Sequence, residues 1–228
     1  MTRWLRIAAI GLIALMLAEP THAQIDNPEQ SGRASMAEDD YEQAVLYFSL
    51  AIDEENEQPT RSDAQKSDLY FMRGSSLFML QKNEDAVEDF TRALDLKSKN
   101  DKDPQSRTAR AQILNLRSQS FLEMEKFGSA LRDIDLAIEL APHVAAYRRQ
   151  RAINLYAMDK LDEALADLNI AIGTVSKDSF LYAFRGHVHD RMGHTDLARK
   201  DFEIATKMDK EGADLARKFS QGKTKSSK

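Results

Sequence analysis

Alanine recurs along this chain in a register too regular for an ordinary globular domain. Ala44, Ala86, Ala130, Ala164 and Ala198 serve as anchors, and seven residues after each stands another alanine: Ala51, Ala93, Ala137, Ala171 and Ala205. Four after each anchor is a large apolar residue: Phe48, Phe90, Ile134, Leu168 and Phe202. Twelve before each anchor is a small one: Gly32, Gly74, Ser118, Ala152 and Gly186. Steps of four and seven place anchor, bulky residue and second alanine on one face of a helix. The small residue belongs to a preceding helix, where it lets the two backbones approach. Each unit is therefore expected to be a helical hairpin with a tight crossing, and a fixed period makes the fold a stack of such hairpins.

Composition agrees with a helical stack. The 228 residues are 42% apolar and 30% charged, enough chain for a sizeable core but with too few long apolar runs for a polytopic membrane protein. Nine glycines and five prolines leave little for a turn-rich β-sandwich. The absence of cysteine removes disulfides, thiolate metal sites and a cysteine nucleophile. A net charge of −5 argues against a general nucleic-acid binder.

The N-terminus reads as an export signal over residues 1–23. Arg3 and Arg6 make a basic start, residues 7–18 are apolar, Glu19-Pro20 breaks the run, and Thr21-His22-Ala23 offers small residues for cleavage. A twelve-residue helix spans about 18 Å against a hydrocarbon core of roughly 30 Å, so a cleaved signal fits better than a membrane anchor. The expected destination is a bacterial periplasm, with cleavage near Ala23 and no stable membrane insertion afterwards.

The anchors are separated by 42, 44, 34 and 34 residues. A 34-residue helix–turn–helix with this small/large/alanine pattern resembles the tetratricopeptide repeat (TPR), over about residues 25–210. The clearest units run from Tyr182 to Ala205 and from Leu114 to Pro142. The resemblance implies an all-α, right-handed α-solenoid of about five hairpins plus a C-terminal capping helix. The units fall near 25–58, 67–100, 111–144, 145–178 and 179–212, within a domain of residues 24–220. The frequent tyrosine nine before the anchor is replaced by Ser35, Leu77, Phe121, Leu155 and His189. The closing proline survives as Pro142 and the turn glycine as Gly193. Sel1-like repeats, which also have longer periods, favour a glycine soon after the second alanine, which Glu139-Leu140-Ala141-Pro142 and Asp95-Leu96-Lys97-Ser98 do not provide. The surplus residues, near 56–63 and 99–106, are polar with one proline each, and are expected to lengthen the connecting loop and the next helix. Lys210 to Ser220 is expected to form the cap through Leu215 and Phe219, and 221–228 a disordered basic tail.

Repeats allow positions to be compared within one chain. Thirteen before the anchor stand Ser31, Arg73, Arg117, Arg151 and Arg185; three after it stand Tyr47, Asp89, Asp133, Asp167 and Asp201. The first unit lacks both partners and the other four have both. An arginine–aspartate pair sixteen residues apart is thus expected inside each of units two to five, joining the two helices of a hairpin.

In TPR superhelices the first helix of each hairpin lines the concave surface. Here that face would collect Arg33 and Met36; Phe71, Ser75 and Phe78; Asn115, Gln119 and Leu122; Arg149, Ile153 and Tyr156; and Phe180, His187 and Asp190. Aromatics beside amides and arginines suit a peptide or a partner helix. Arg149, Tyr156, Asn115 and Phe78 lead this set, and Arg148 with Arg149 form the one local basic cluster, open to an acidic partner. The clamp some TPR proteins use for peptide carboxylates needs lysines and asparagines on successive first helices, which Asn115 and Arg149 do not supply. His187, Asp190 and His194 have helical spacing but no evident fourth ligand, so neither metal nor cofactor is expected. His187 and Asp190 are the sole catalytic candidates, and no phosphate loop, nucleophile elbow or metalloprotease motif is present. The expected function is a non-enzymatic scaffold in the cell envelope that binds a protein or peptide. The alternative is a periplasmic carrier of a small ligand or peptide fragment.

Overall fold

The computed structural model describes residues 27–97 and 103–221. Residues 1–26, which include the expected export signal, residues 98–102, and residues 222–228 of the expected tail lie outside the described residues. Those described form eleven helices and no strand. The hairpins are α1 (Pro28–Ala37) with α2 (Tyr41–Glu57), α3 (Asp63–Met79) with α4 (Asn83–Leu96), and α5 (Pro104–Glu123) with α6 (Phe127–Leu140). They continue as α7 (Ala145–Ala157) with α8 (Leu161–Thr174) and α9 (Ser179–Arg191) with α10 (Thr195–Met208), closed by α11 (Lys210–Gln221). Helices pack on their hairpin partner and on the next hairpin, the all-α solenoid expected of a repeat. Successive first helices also touch, α1 with α3, α3 with α5 and α5 with α7. Second helices make no comparable contact with one another, so the first helices line the inner, concave side.

Each turn uses one device. Five residues before every anchor the backbone is left-handed, at Asp39, Gln81, Glu125, Asp159 and Gly193, with φ between 55° and 80°. The next N–H then reaches back to the first helix, as in Lys82 N to Leu77 O (2.9 Å) and His194 N to His189 O (2.8 Å). This is the Schellman closure, which favours glycine at the left-handed position. The chain has glycine there once, at Gly193; elsewhere a side chain tolerates the strain. Gln81→Gly is expected to raise stability by about 1 kcal/mol, read as a higher urea midpoint at an unchanged slope.

The core repeats with the register. Phe48 and Phe90 are fully buried, and a Cβ on Gly32 or Gly74 would lie 2.9–3.0 Å from the matching ring. Gly186 and Phe202 repeat the arrangement at 2.9 Å. Where the small residue is Ser118 or Ala152, the bulky one is Ile134 or Leu168. The glycine therefore does more than bring backbones together: the ring fills the volume its missing Cβ leaves.

The surplus residues lengthen the first helices of units two and three, which begin at Asp63 and Pro104 rather than near 67 and 111. Ser62 and Gln65 form a capping box at the first, and Asp103 caps the second before Pro104. The loop after α2 is folded around a buried carboxylate: Glu55 accepts the N–H groups of Thr60 and Arg61 at 3.1–3.2 Å. The added turn of α5 carries Arg107 to the end of α6, where it donates to the carbonyls of Leu140 and Glu139. The insertions thus fasten helix ends.

Candidate functional site

A ladder of arginines fixes the hairpins whose first helices form the concave face. Arg73 donates to Asp89 from Nε and Nη2 at 2.7 Å each, and Arg117 to Asp133 at 2.7 and 2.9 Å. Arg151 holds Asp167 at 2.6 and 2.7 Å and Arg185 holds Asp201 at 2.7 Å twice. All four carboxylates are buried. The remaining Nη1 reaches back to the second helix of the preceding hairpin, to Ser49 (3.2 Å), Thr91, Asp135 and Asn169 (2.9 Å each). Those four acceptors stand five residues after the preceding anchor. Each guanidinium therefore joins three helices and sets the angle between neighbouring units as well as within one. Burial pushes the Asp89 carboxyl above its ordinary value in spite of Arg73, so desolvation offsets much of the pair's attraction. Such a pair specifies geometry more than it adds stability, but removing one member is costly.

A buried polar chain links units three and four. Gln150 donates to Asn154, Asn154 to the Ser118 hydroxyl (2.9 Å), and Ser118 to the Ala130 carbonyl (2.7 Å). Nothing in the repeat pattern announces it, because Gln150 and Asn154 occur in one unit.

The sequence-selected concave residues Phe71, Ser75, Phe78, Asn115, Gln119, Arg149, Ile153, Tyr156 and His187 are all half-buried. Phe71 and Phe78 pack against the Leu77–Phe90–Ile113 cluster, and Ile153 against the cluster around Leu155 and Leu168. Each thus serves the core with part of its surface. The Ser75 hydroxyl bonds its own helix at the Phe71 carbonyl, 2.7 Å away. The Asn115 Oδ1 is buried without a partner.

One expectation needs correction. Arg148 and Arg149 are not open cations: Arg148 bonds Asp167 at 3.2 Å, and Arg149 meets Asp178 at 3.4 Å and lies 5.2 Å from the Phe180 ring centroid. The run of arginines is spent on internal carboxylates. Among the described residues, His187, Asp190 and His194 are not part of any group of three or more side chains that could hold a metal ion. His187 shares a hydrogen bond with the Tyr156 hydroxyl (2.7 Å), and its ring stacks on Phe219 of α11 with centroids 4.6 Å apart. Tyr156 also accepts from Arg191 at 3.0 Å, and Phe184 packs against Tyr156 and Phe219. The aromatic end of the concave face is thereby joined to the cap.

Eight residues before the anchors runs a half-buried row, Met36, Phe78, Leu122 and Tyr156, one on each of the first four hairpins. Met79, beside Phe78, is 52% exposed. A parallel row three residues earlier is mixed: Arg33, Ser75, Gln119 and Ile153. An apolar strip with a polar margin is the arrangement that takes an amphipathic segment.

His187 and His189 make the last unit sensitive to acid. Burial pushes His187 below its ordinary value, against the pull of Asp190, and burial does the same to His189, against Asp201. The unfolded chain then binds more protons, so their contribution is complete above the unfolded value of 6.5 and lost as pH falls through the lower folded values. The melting temperature is expected to fall as the pH is lowered below 6.5, with His187→Phe removing part of that dependence.

These features define an α-solenoid of helical hairpins with a concave inner face. A tetratricopeptide repeat family model matches residues 67–100, the unit of α3 and α4. Tetratricopeptide repeat protein 16 of Macaca fascicularis is 25% identical over 174 residues, covering 76% of this chain. The chain spans 19% of the length of that relative. Among solved structures, MamA aligns with a TM-score of 0.64 at 16% identity, over 80% of this chain and 96% of its own. YrrB, a TPR protein with an unusual peptide-binding site, aligns with a TM-score of 0.61 at 15% identity, over 83% of this chain and 88% of its own. At these identities the likeness shows the fold. Residues 67–100 thus match a tetratricopeptide repeat, and the chain as a whole shares the fold of these helical-repeat proteins.

Proposed function

We propose that the protein is a non-enzymatic scaffold of the bacterial cell envelope, exported by residues 1–23 and binding a segment of a partner polypeptide along its concave face. The observation that carries the reading is the apolar row Met36, Phe78, Leu122 and Tyr156, extended by the half-exposed Met79. Its polar margin gives the segment a direction, and the arginine ladder keeps the row straight across four hairpins. A non-catalytic role is supported by the state of His187, which is stacked under Phe219 and bonded to Tyr156. The likeness in fold to a peptide-binding TPR protein supports the same mode of action.

Met79→Glu is expected to abolish co-purification of the partner while leaving the melting curve unchanged, because the side chain is 52% exposed. Arg92→Glu, on the outer face of α4, is expected to leave the complex intact. A complex indifferent to Met79→Glu would contradict the concave site. Export is tested by fractionation and N-terminal sequencing, with Gln24 the expected first residue. Recovery of a chain starting at Met1 in the cytosol would contradict the envelope assignment.

A further inference from the structure

The cap helix α11 packs on α9 and α10, and its two ends are held in different ways. Its start is fixed through the backbone. Asp209, in extended conformation, is the one residue between α10 and α11, and its carboxylate accepts the Gly212 N–H at 2.6 Å. A Cβ on Gly212 would collide with the Ala205 carbonyl, so the first turn of α11 lies directly against α10. The far end is held by a ring. Phe219 stacks on His187 of α9, with centroids 4.6 Å and planes 19° apart, and packs on Phe184 at 6.1 Å.

The hydrogen bonds around His187 select its neutral form. Arg191 can only donate, so the Tyr156 oxygen accepts from it at 3.0 Å and turns its own proton toward His187 Nε2, 2.7 Å away. The neutral imidazole then carries its proton on Nδ1, which is buried and meets no acceptor. A second proton, on Nε2, would bring two cationic donors to one phenol oxygen and leave the Nδ1–H unanswered. Of the charged groups on α9 facing the ring, Asp190 favours the imidazolium, while Arg191, paired with Asp159 at 2.8 Å, opposes it. From α7 comes the Tyr156 hydroxyl, and from α11 the uncharged ring of Phe219.

We infer that His187 and Phe219 form an acid-released latch: protonation of the imidazole ends the Tyr156 bond, and the last turns of α11 lift off α9 while its first turn stays on α10. Lifting lets water reach the imidazolium, which offsets the lost stacking. The latch is closed above 6.5, the ordinary value of a histidine, and opens as pH falls through the lower value that burial gives His187. Opening bares Phe184 at the end of the concave face. A partner segment lying along that face would gain a ring to pack on, a consequence that rests on the function proposed above. His189 is also held neutral by burial, but it faces Asp201 and His194 rather than the cap.

Phe219→Trp, combined with Trp4→Phe to remove the chain's single tryptophan, places an indole on the His187 ring. Its emission is expected to move to longer wavelength as pH is lowered below 6.5, with the helical circular dichroism nearly unchanged. Adding His187→Gln, whose carboxamide still takes the Tyr156 proton but does not titrate, is expected to remove the shift. Adding His189→Gln is expected to leave it. Amide exchange reads the same event on the unaltered chain: protection in the last turn of α11 should fall several-fold more than in α10 over the same change of pH. An emission that holds until the whole protein unfolds, or that shifts equally with His187→Gln, would overturn the latch, as would equal loss of protection in α10 and α11. These measurements need no partner, so their failure leaves the concave site untouched.

Discussion

Asp167→Ala is expected to destabilise the protein by about 3 kcal/mol, close to 10 °C in melting temperature for a chain of this size. The carboxylate is buried and takes Nε and Nη2 of Arg151 at 2.6 and 2.7 Å, and Arg148 at 3.2 Å. Removing it leaves Arg148 without its carboxylate and Arg151 with Asp135 alone. A fully buried pair that loses one member costs about 3–5 kcal/mol. Here the arginine side chains keep 28% and 20% of their surface in water, which places the effect at the lower end. Because Arg151 also reaches Asp135 of the preceding hairpin, the damage should spread to units three and four. Amide exchange resolves this: loss of protection in α6 to α8 is expected, with α1 and α2 little changed. A uniform loss along the chain would show that the ladder does not act locally. Asp95→Ala, exposed on α4, should stay within about 0.5 kcal/mol.

Phe90→Ala is expected to cost about 3–5 kcal/mol, because the ring is fully buried and the cavity cannot close. The sharper experiment concerns its complement. Gly74→Ala alone would press a methyl group to 3.0 Å from the ring and 3.1 Å from the Asp89 Cβ. Phe90→Leu alone would leave a void over Gly74. Together they recreate the Ala152–Leu168 pairing that unit four already uses. The double variant is therefore expected to be more stable than the sum of the single effects by about 1 kcal/mol. Strict additivity, measured by urea denaturation, would mean that glycine and ring do not share a volume.

The hairpins were legible because one chain offers five copies of each position. Alanine, small and bulky registers need only coincide, and the sixteen-residue arginine–aspartate spacing shows against a first unit that lacks both residues. The inter-repeat half of the ladder was hidden for a chemical reason. Ser49, Thr91, Asp135 and Asn169 share an acceptor oxygen and nothing else, so no search for a recurring residue type finds them. The left-handed turn position was hidden likewise, with glycine in one of five turns. On the concave face, spacing located the residues but not their internal partners. Arg149 looked free because Asp178 stands 29 residues away across a hairpin, and His187 looked available because Phe219 arrives from the cap. A sequence pattern gives the face a side chain occupies; what already covers it depends on packing between units.

The concave face as a partner site is the central claim, and photo-crosslinking in living cells tests it most directly. Probes at Met79 and Gln112, both exposed on the first helices, would be compared with one at Arg92 on the outer face of α4. A single discrete adduct from Met79 and Gln112 but not from Arg92 is the predicted result, and mass spectrometry of that adduct names the partner. Equal labelling from Arg92, or adducts from Arg92 alone, would contradict it.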